Sequence, residues 1–343
     1  MRKDTIVYIG RFQPFHNAHF ETVKRACSLA KQLIIVVGSA NQPRTINDPF
    51  TADERIEMIK SACGSWAHKI VFVTVENYAY SDSKWGLEVS QKVEEAAIGD
   101  KTDISLIGFE KDESSFYLKM FPNWGFIPME QVEVLDATTI RSLYFSDKCN
   151  MNFFMRVIPP IIVTWMVEFM QREEYRNIVA EMKYIANYKK PYAALPYPPT
   201  FNTGDAVVFK NNHVLLIRRR AYPGKGLYAI PGGFLNAETD KSLRDCAIRE
   251  LQEETKIKVS PGRLLSCIRE EKVFDAKNRS MRGRIITTAQ FIVLDDAEKD
   301  GELPKVRGSD DAEKAVWVPL HKLNKAEMFE DHHDIITYFA GKL

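Results

Sequence analysis

In Thr5-Ile6-Val7-Tyr8-Ile9-Gly10-Arg11-Phe12-Gln13-Pro14-Phe15-His16-Asn17-Ala18-His19, an apolar run leads into a turn and then a helix, and this stretch decides the fold of the first half of the chain. Ile6–Ile9 predicts a buried strand, and apolar residues near helical spacing predict a helix from Ala18 to Gln32. A strand, a glycine-containing turn and a helix bring backbone N–H groups and the positive end of a helix dipole to one point. The stretch therefore predicts an anion-binding turn.

The segments that follow alternate between apolar strands and helices. The predicted strands are Leu33–Gly38, Ile70–Val75 and Asp103–Ile107. The predicted helices are Thr51–Cys63, where Thr51 and Glu54 have the spacing of a capping box, a helix from Ala137, and a long helical run from Pro159-Pro160 to about Tyr188. Continuous apolar strands that alternate with helices indicate a parallel sheet covered on both faces, so the first half is predicted to be α/β.

The second half has a different pattern and predicts an α+β domain. Prolines cluster between positions 189 and 200, which predicts an extended linker. The predicted strands are Asp205–Phe209 and His213–Arg218, joined as a hairpin, then Leu264–Glu271 and Arg284–Leu294; one strong helix is predicted over Ser242–Thr255. We therefore predict one domain over 1–188, a linker over 189–200 and a second domain over 201–343.

Composition narrows the class of protein. The 343 residues suit two domains, and 45% hydrophobic with 27% charged residues is typical of a globular protein. A net charge of +1 provides no long-range attraction for nucleic acid or an anionic membrane, so we expect neither as a partner. The five scattered cysteines, the lack of a signal peptide and the shortness of the apolar stretch Ile161–Met170 predict a cytoplasmic protein without a membrane span.

Two histidines mark the first motif as a phosphate site. His16 and His19 are three residues apart, so they can share one side of the first helical turn, where imidazole N–H groups can donate to phosphate oxygens. Arg11 and Arg141 are candidates to add charge-assisted hydrogen bonds. The alternative is that both histidines are ordinary surface or capping residues, and the surrounding string argues against it.

The same stretch resembles a known family. Gly10–His19 resembles the G-R-F-Q-P-x-H-x-G-H string of the archaeal-type nicotinamide-mononucleotide (NMN) adenylyltransferases, in the nucleotidyltransferase superfamily. Three further segments resemble the motifs of that family in order: Gly38-Ser39-Ala40 with Asn47–Arg55, Gly108–Asp112, and Asp136–Arg141. Ala18 stands in place of a family glycine, and Asp136 in place of a family serine. The resemblance implies a Rossmann-like nucleotidyltransferase domain.

This resemblance implies a reaction and a set of residues. The 5′-phosphate of NMN attacks the α-phosphorus of ATP and yields NAD and pyrophosphate, with Mg²⁺ and without a covalent intermediate. The implied catalytic residues are His16, His19 and Arg141. The implied ATP- and substrate-binding residues are Gly10, Arg11, Phe12, Gly38, Ser39, Asn47, Arg55, Trp85, Gly108, Lys111, Asp112, Thr138 and Arg141. For Trp85, stacking on a nucleotide ring and packing in the core remain open.

The second motif is a carboxylate cluster. Glu250, Glu253 and Glu254 share one face of a helix, where three carboxylates repel each other unless they bind a divalent cation through oxygen. The alternative is a solvated acidic face. The tight turn Pro231-Gly232-Gly233 just upstream favours the cation site.

This region resembles the Nudix box, G-x5-E-x7-R-E-U-x-E-E-x-G-U. The matching residues are Gly233, Arg249, Glu250, Leu251, Glu253, Glu254 and Ile257. The resemblance implies that Mg²⁺, or alternatively Mn²⁺, is held by Gly233, Glu250, Glu253 and Glu254, with Arg249 as the orienting residue and Arg249 and Glu253 counted as catalytic. The loop before Arg249 is two residues longer than the pattern and places Lys241 at the position of the first glutamate. Glu238 is a candidate to substitute for that glutamate. Lys256 replaces the last glycine of the pattern.

Flanking segments resemble the Nudix domains of NAD metabolism, which hydrolyse ADP-ribose to AMP and ribose 5-phosphate. They are Arg218–Gly226, Phe274–Arg284 and Gly308–Ala315. The arginines predicted to bind ADP-ribose, with solvation at the surface as the alternative, are Arg219, Arg279, Arg282 and Arg284. The general base stays open among Glu270, Glu271, Asp310 and Asp311.

The whole chain resembles bifunctional adenylyltransferase–Nudix proteins of NAD biosynthesis. Its expected small-molecule partners are ATP, NMN and ADP-ribose. One alternative is an adenylyltransferase with a Nudix module that senses ADP-ribose without catalysis. A DNA-binding regulator is disfavoured, because only about two dozen residues follow Pro319, too few for a winged helix. The choice between nicotinamide and nicotinate mononucleotide, and a homo-oligomeric state, stay open.

Overall fold

The chain forms two compact units, Met1–Met182 and Lys183–Leu343. The structure is a computed structural model, and it describes residues 3–109, 117–130, 136–294, 301–309 and 312–343. The division falls inside a helix that covers Glu173–Lys189, six residues before the predicted end of the first domain at 188. The predicted linker over 189–200 stays a prediction.

The first unit is built on a five-stranded parallel sheet. Its strands are β1 (Lys3–Gly10), β2 (Ala30–Ala40), β3 (Ile70–Glu76), β4 (Ile104–Gly108) and β5 (Gly125–Pro128), in the order β3-β2-β1-β4-β5. Alternate strand residues pack on opposite faces: Ile6 and Tyr8 join one core, and Val7 and Ile9 the other. The predicted α/β class, with a sheet covered on both faces, is confirmed.

The helices of this unit follow the prediction at their starts better than at their ends. They are α1 (Asn17–Leu29), α2 (Ala52–Cys63), α3 (Asp82–Ala96), α4 (Ala137–Tyr144), α5 (Met151–Val157), α6 (Pro160–Phe169) and α7 (Glu173–Lys189). The capping box of α2 is confirmed, since Thr51 and Glu54 each accept a hydrogen bond from the other's backbone N–H. The long run to Tyr188 is in fact two helices, because the chain turns between Phe169 and Glu173.

The second unit contains a mixed sheet. Its strands are β6 (Thr200–Lys210), β7 (His213–Arg219), β8 (Tyr228–Ala229), β9 (Gly232–Phe234), β10 (Ile268–Phe274), β11 (Arg284–Val293) and β12 (Ala312–Pro319). The main order is β10-β11-β6-β7-β12, with β6 and β11 parallel and the other neighbours antiparallel. Asn211 and Asn212 form the predicted hairpin turn with φ of 48° and 59°.

Helices lie on both faces of the mixed sheet: α8 (Leu243–Thr255) packs on one face and α10 (His332–Ala340) on the other. The strand predicted over Leu264–Glu271 is wrong in its first half. Ser260 caps a short helix, α9 (Pro261–Ser266), by accepting from the N–H of Arg263 at 3.3 Å, and the strand begins only at Ile268. Across the described ranges, no helix combines the length and apolar character needed to cross a bilayer.

Candidate active sites

A cavity of about 460 Å³ opens at the carboxyl ends of β1 and β2 in the first unit. Its lining includes five residues that the sequence motifs predicted: Gly10, Arg11, Gly38, Ser39 and Trp85. It also includes residues that the motif analysis missed, namely Asn77, Tyr78, Asp82 and Tyr117. The edge of the parallel sheet therefore holds a pocket of a size suited to a nucleotide, where α/β folds bind ligands.

Trp85 lies between the cavity and the core, and its stacking on a nucleotide ring stays a prediction. It lines the cavity and also packs against the core, with its ring centroid 6.0 Å from Tyr117 in an edge-on arrangement. Asn77 and Tyr78 follow β3, which shows that three neighbouring strands end at this cavity. In the sequence, the position of Asn77 and Tyr78 just after the predicted strand Ile70–Val75 was the only indication of this location.

The two histidines form one stacked pair at the start of α1. His16 is the N-cap, and its backbone N–H donates to Nδ1 of His19 at 3.3 Å; the two ring centroids lie 3.6 Å apart. Burial, with a smaller effect of His16, holds the pKa of His19 well below its ordinary 6.5. His16 therefore occupies a cap position, and the pair lies beside the helix N-terminus, where anions bind; its role in phosphate binding stays a prediction.

The turns at this edge adopt conformations that local sequence preferences disfavour. Phe12 and Ser39 have φ of 53° and 49°, in the left-handed region that is uncommon for residues with a side chain. A Cβ on Gly10 would lie 2.8 Å from the Phe12 ring, so glycine is needed for the ring to fold back under the turn. The turn is thus shaped by packing of the buried ring.

Arg55 is buried and holds the backbone of these turns. Its guanidinium is 1% exposed and donates to the backbone carbonyls of Arg11 at 2.7 Å, Gly38 at 2.6 Å and Ser39 at 3.1 Å. Arg55 thus holds the backbone of both turns, and its role as an ATP contact stays a prediction.

Arg141 and Asp136 organise the start of α4. Arg141 is 3% exposed and donates to the carbonyl of Gln13 at 2.9 Å and to Oγ1 of Thr138 at 3.2 Å, while its Nε is buried without a partner among the described residues. Asp136, which replaces the family serine, caps α4 by accepting from the N–H of Thr139 at 2.8 Å. The acidic substitution therefore preserves the cap.

Gln13 was quoted in the motif but given no role. Its side-chain amide donates to the carbonyl of Phe50 at 2.9 Å and accepts from the N–H of Phe50 at 3.0 Å, which joins the first turn to the loop before α2. That loop contains Asn47, and Gly108 ends β4. Lys111 and Asp112 lie outside the described residues.

The second site is built on α8. Ser242 caps the helix, and Lys256 ends it with φ of 46°, a left-handed position at which the Nudix pattern has glycine. Glu254 is 5% exposed and accepts from the N–H of Gly232 at 3.0 Å; burial raises its pKa to about 8. A Cβ on Gly233 would overlap the carboxyl of Glu250, so only glycine permits this approach of turn and helix.

Asp240 is the acidic partner of Arg249. Its two carboxylate oxygens each accept from the Arg249 guanidinium at 2.8 Å, and this hydrogen bonding lowers the pKa of Asp240 to about 2. The suggestion that Glu238 replaces the missing glutamate at position 241 is wrong, because the longer loop brings Asp240 to the arginine. The sequence signal was a carboxylate one residue from the expected position.

The carboxylates of α8 fit a cation only in part as they stand. Arg249 also donates to Glu250 at 2.7 Å and to Glu253 at 2.9 Å. In the parts of the chain that the structure describes, no group of three or more His, Cys, Asp or Glu side chains is arranged to hold a metal ion. The donor types nevertheless fit: burial and the neighbouring Glu253 raise the pKa of Glu250, so a hard cation would relieve the repulsion.

The arginines predicted to bind ADP-ribose occupy different environments. Arg279 is buried in a two-bond ion pair with Asp331, at 2.9 and 2.8 Å, with side chains only 3% and 4% exposed. Its guanidinium is therefore paired inside the fold, and its role as an ADP-ribose contact stays a prediction. Arg282 lies 3.7 Å from a carboxylate oxygen of Glu330.

Arg219 and Arg284 lie nearer the surface. The guanidinium of Arg219 lies 4.1 Å from the ring centroid of Phe329, and its Nε donates to the carbonyl of Pro223 at 2.8 Å. Arg284 is 3.8 Å from Asp275, and its Nη1 is buried without a partner in the described structure. Roles for these two side chains in ADP-ribose binding stay predictions.

Two general-base candidates are engaged elsewhere. Glu270 accepts from Lys342 and from the hydroxyl of Tyr338, and Glu271 pairs with Arg244. Asp310 and Asp311 lie outside the described residues. The choice of base therefore stays open.

Fold and sites together define a nucleotidyltransferase joined to a Nudix domain. A family profile described as "Cytidylyltransferase-like" matches residues 7–121, and one described as "NUDIX domain" matches residues 201–339. A nicotinamide/nicotinic acid mononucleotide adenylyltransferase of Acinetobacter baylyi is 37% identical over 185 residues, 53% of this chain and 94% of that protein. An ADP-ribose pyrophosphatase of Methanocaldococcus jannaschii is 33% identical over 132 residues, 38% of this chain and 68% of that protein.

A solved structure matches 99% of the chain. The bifunctional NMN adenylyltransferase/ADP ribose pyrophosphatase of Francisella tularensis has 33% identity and a TM-score of 0.88, over 99% of both chains. A second structure of that description is complexed with AMP and a manganese ion, at 32% identity and a TM-score of 0.85 over 99% of both chains. The chain belongs to the family of bifunctional NMN adenylyltransferase/ADP-ribose pyrophosphatases.

Proposed function

We propose that the first unit transfers the adenylyl group of ATP to NMN and that the second unit hydrolyses ADP-ribose. The single observation that carries the first activity is the cavity that Gly10, Arg11, Gly38, Ser39 and Trp85 line together. The relatives named above support both activities, and the name of the Acinetobacter relative includes nicotinic acid mononucleotide as a second substrate.

In the first reaction, an oxygen of the NMN phosphate attacks the α-phosphorus of ATP. A P–O bond forms to that phosphorus, its bond to the bridging oxygen breaks, and pyrophosphate leaves with the electron pair. The stacked pair His16–His19 lies at the N-terminus of α1, where it would hold the leaving phosphates. Arg11 and Arg141 would offset the negative charge that grows on pyrophosphate.

In the second reaction, a water oxygen attacks one phosphorus of ADP-ribose and the phosphorus–bridging-oxygen bond breaks. AMP and ribose 5-phosphate are the products. Glu250, Glu253, Glu254 and the backbone of Gly233 would hold Mg²⁺ or Mn²⁺, which supplies activation of the attacking water and neutralisation of phosphate charge. Arg249, held by Asp240, would orient Glu250 and Glu253.

The same contacts favour catalysis over an ADP-ribose sensor without activity. All three helix carboxylates and their orienting arginine are retained, together with the close turn at Gly233.

Two variants separate the activities in a crossed experiment. The full chain is incubated with ATP, NMN, ADP-ribose and Mg²⁺, and the products are separated by chromatography. His19→Ala should lose NAD synthesis by at least about 100-fold and keep AMP release, and Glu253→Gln should do the reverse. Wild-type protein that forms no NAD would refute the first activity, and AMP release that survives both Glu253→Gln and removal of metal by a chelator would refute the second.

A further inference from the structure

Asp48 is a carboxylate in the loop that the Gln13 side chain joins to the first turn, through Phe50 two residues further on. It lies in the loop between β2 and α2, and three guanidinium groups, those of Arg11, Arg55 and Arg141, act on it electrostatically. Oδ1 of Asp48 is buried and accepts no hydrogen bond from any described residue. A carboxylate is an unexpected neighbour for arginines at a site where the ligand is a polyanion.

The arginines themselves are connected through the first turn. Arg55 donates to the carbonyl of Arg11 at 2.7 Å, and Arg141 donates to the carbonyl of Gln13 at 2.9 Å. Burial and the charge of Arg11 lower the pKa of both buried arginines to about 10. The three guanidinium groups thus act on one carboxylate, and Asp48 offsets part of their mutual repulsion.

We propose that Asp48 is a resident counter-ion that weakens the binding of ATP and pyrophosphate and so promotes pyrophosphate release. A bound triphosphate is attracted by the three guanidinium groups and repelled by the carboxylate of Asp48. Burial raises the pKa of this carboxyl although the three arginines act to lower it, so its charge is already costly before a second anion arrives. The inference rests on the proposed adenylyl transfer at this site.

The loop can tolerate loss of the charge. Its turn is held by backbone atoms of Asp48, whose N–H donates to Oγ1 of Thr45 at 3.2 Å and whose carbonyl accepts from the N–H of Thr45 at 3.3 Å. Asp48→Asn therefore removes the charge and retains the turn and the side-chain volume. Asp53→Asn is the matched control, since this carboxylate is exposed in the first turn of α2.

The test is product inhibition of NAD synthesis by inorganic pyrophosphate. At an effective dielectric constant of about 20, even unit charges about 12 Å apart interact strongly enough that removal of one should lower the Ki of pyrophosphate at least about tenfold. This change is equivalent to about 1.4 kcal/mol. The Ki in Asp48→Asn should also rise more steeply with salt than in the wild type, whereas Asp53→Asn should match the wild type. Damage to the fold alone would weaken inhibition.

The proposal is overturned if Asp48→Asn leaves Ki unchanged or raises it, or if Asp53→Asn lowers it equally. Asp48→Ser, with a smaller neutral side chain, must change Ki in the same direction, and circular dichroism checks the fold of each variant. Calorimetric titration with ATP provides a separate readout. The difference in ATP affinity between Asp48→Asn and Asp53→Asn tests the role of Asp48 even if the wild-type protein makes no NAD. A lack of NAD synthesis would count against the proposed function alone.

Discussion

The ion pair between Asp240 and Arg249 makes a sharp prediction, because sequence spacing pointed to a different residue. Asp240 is 3% exposed at its side chain and accepts two hydrogen bonds of 2.8 Å from the guanidinium. Asp240→Asn keeps one acceptor and removes the charge. Glu238→Gln changes the residue that the sequence suggested for this position, and its backbone N–H, bonded to Asn236, is unaffected.

The magnitude follows from the bonds that are lost. Hydrogen bonds to charged groups contribute about 1.5–3 kcal/mol, and the substitution removes one such bond and weakens the other. Arg249 is then held less firmly on its remaining partners, Glu250 and Glu253. A loss of about 2 kcal/mol in transition-state stabilisation lowers kcat for ADP-ribose hydrolysis about 30-fold.

The assay is AMP release from ADP-ribose at saturating divalent metal, with NAD synthesis measured on the same sample. Asp240→Asn should lose hydrolysis and keep synthesis, because the two activities belong to different units. Glu238→Gln should keep both. The reasoning fails if Asp240→Asn retains wild-type kcat, or if Glu238→Gln loses as much as Asp240→Asn.

Three further predictions concern single residues. Burial lowers the pKa of His332 to about 3, so its contribution to stability is complete above about pH 6.5 and declines as pH falls toward 3, by at most about 1.4 kcal/mol per pH unit. The free energy of unfolding in urea should therefore depend less on pH in His332→Gln than in the wild type between pH 7 and 5. An equal pH dependence in the two proteins would contradict this. Gly233→Ala should abolish ADP-ribose hydrolysis, because the added Cβ overlaps the carboxyl of Glu250. Gly262→Ala should keep the activity, because its Cβ meets no other atom. Equal activities of the two variants would refute the close approach of Gly233 to Glu250. Arg55→Lys should lower kcat/KM for NAD synthesis by about 10- to 100-fold, since lysine cannot span three carbonyls, and an unchanged value would remove the positioning role.

Prediction from sequence worked best where the signal was local. The strand Ile70–Val75 and the helix start at Thr51 agree with the structure almost to the residue, because apolar runs and capping patterns act over a few neighbours. The end of α1 was placed too late. Its residues through Leu29 are helical, but Ala30 already pairs in the sheet, and pairing with a distant strand overrides helical spacing.

The sequence by itself determined the two fold classes, the order of the units, and the motifs that line the first cavity and place three carboxylates on α8. Only the tertiary structure decided how the cations are used. Arg279 pairs with Asp331, 52 residues away, and Arg55 reaches carbonyls 16 to 44 residues distant. A motif specifies which side chains are present at a given spacing, whereas the partner of a long cationic side chain depends on which segments the folded chain brings within about 3 Å.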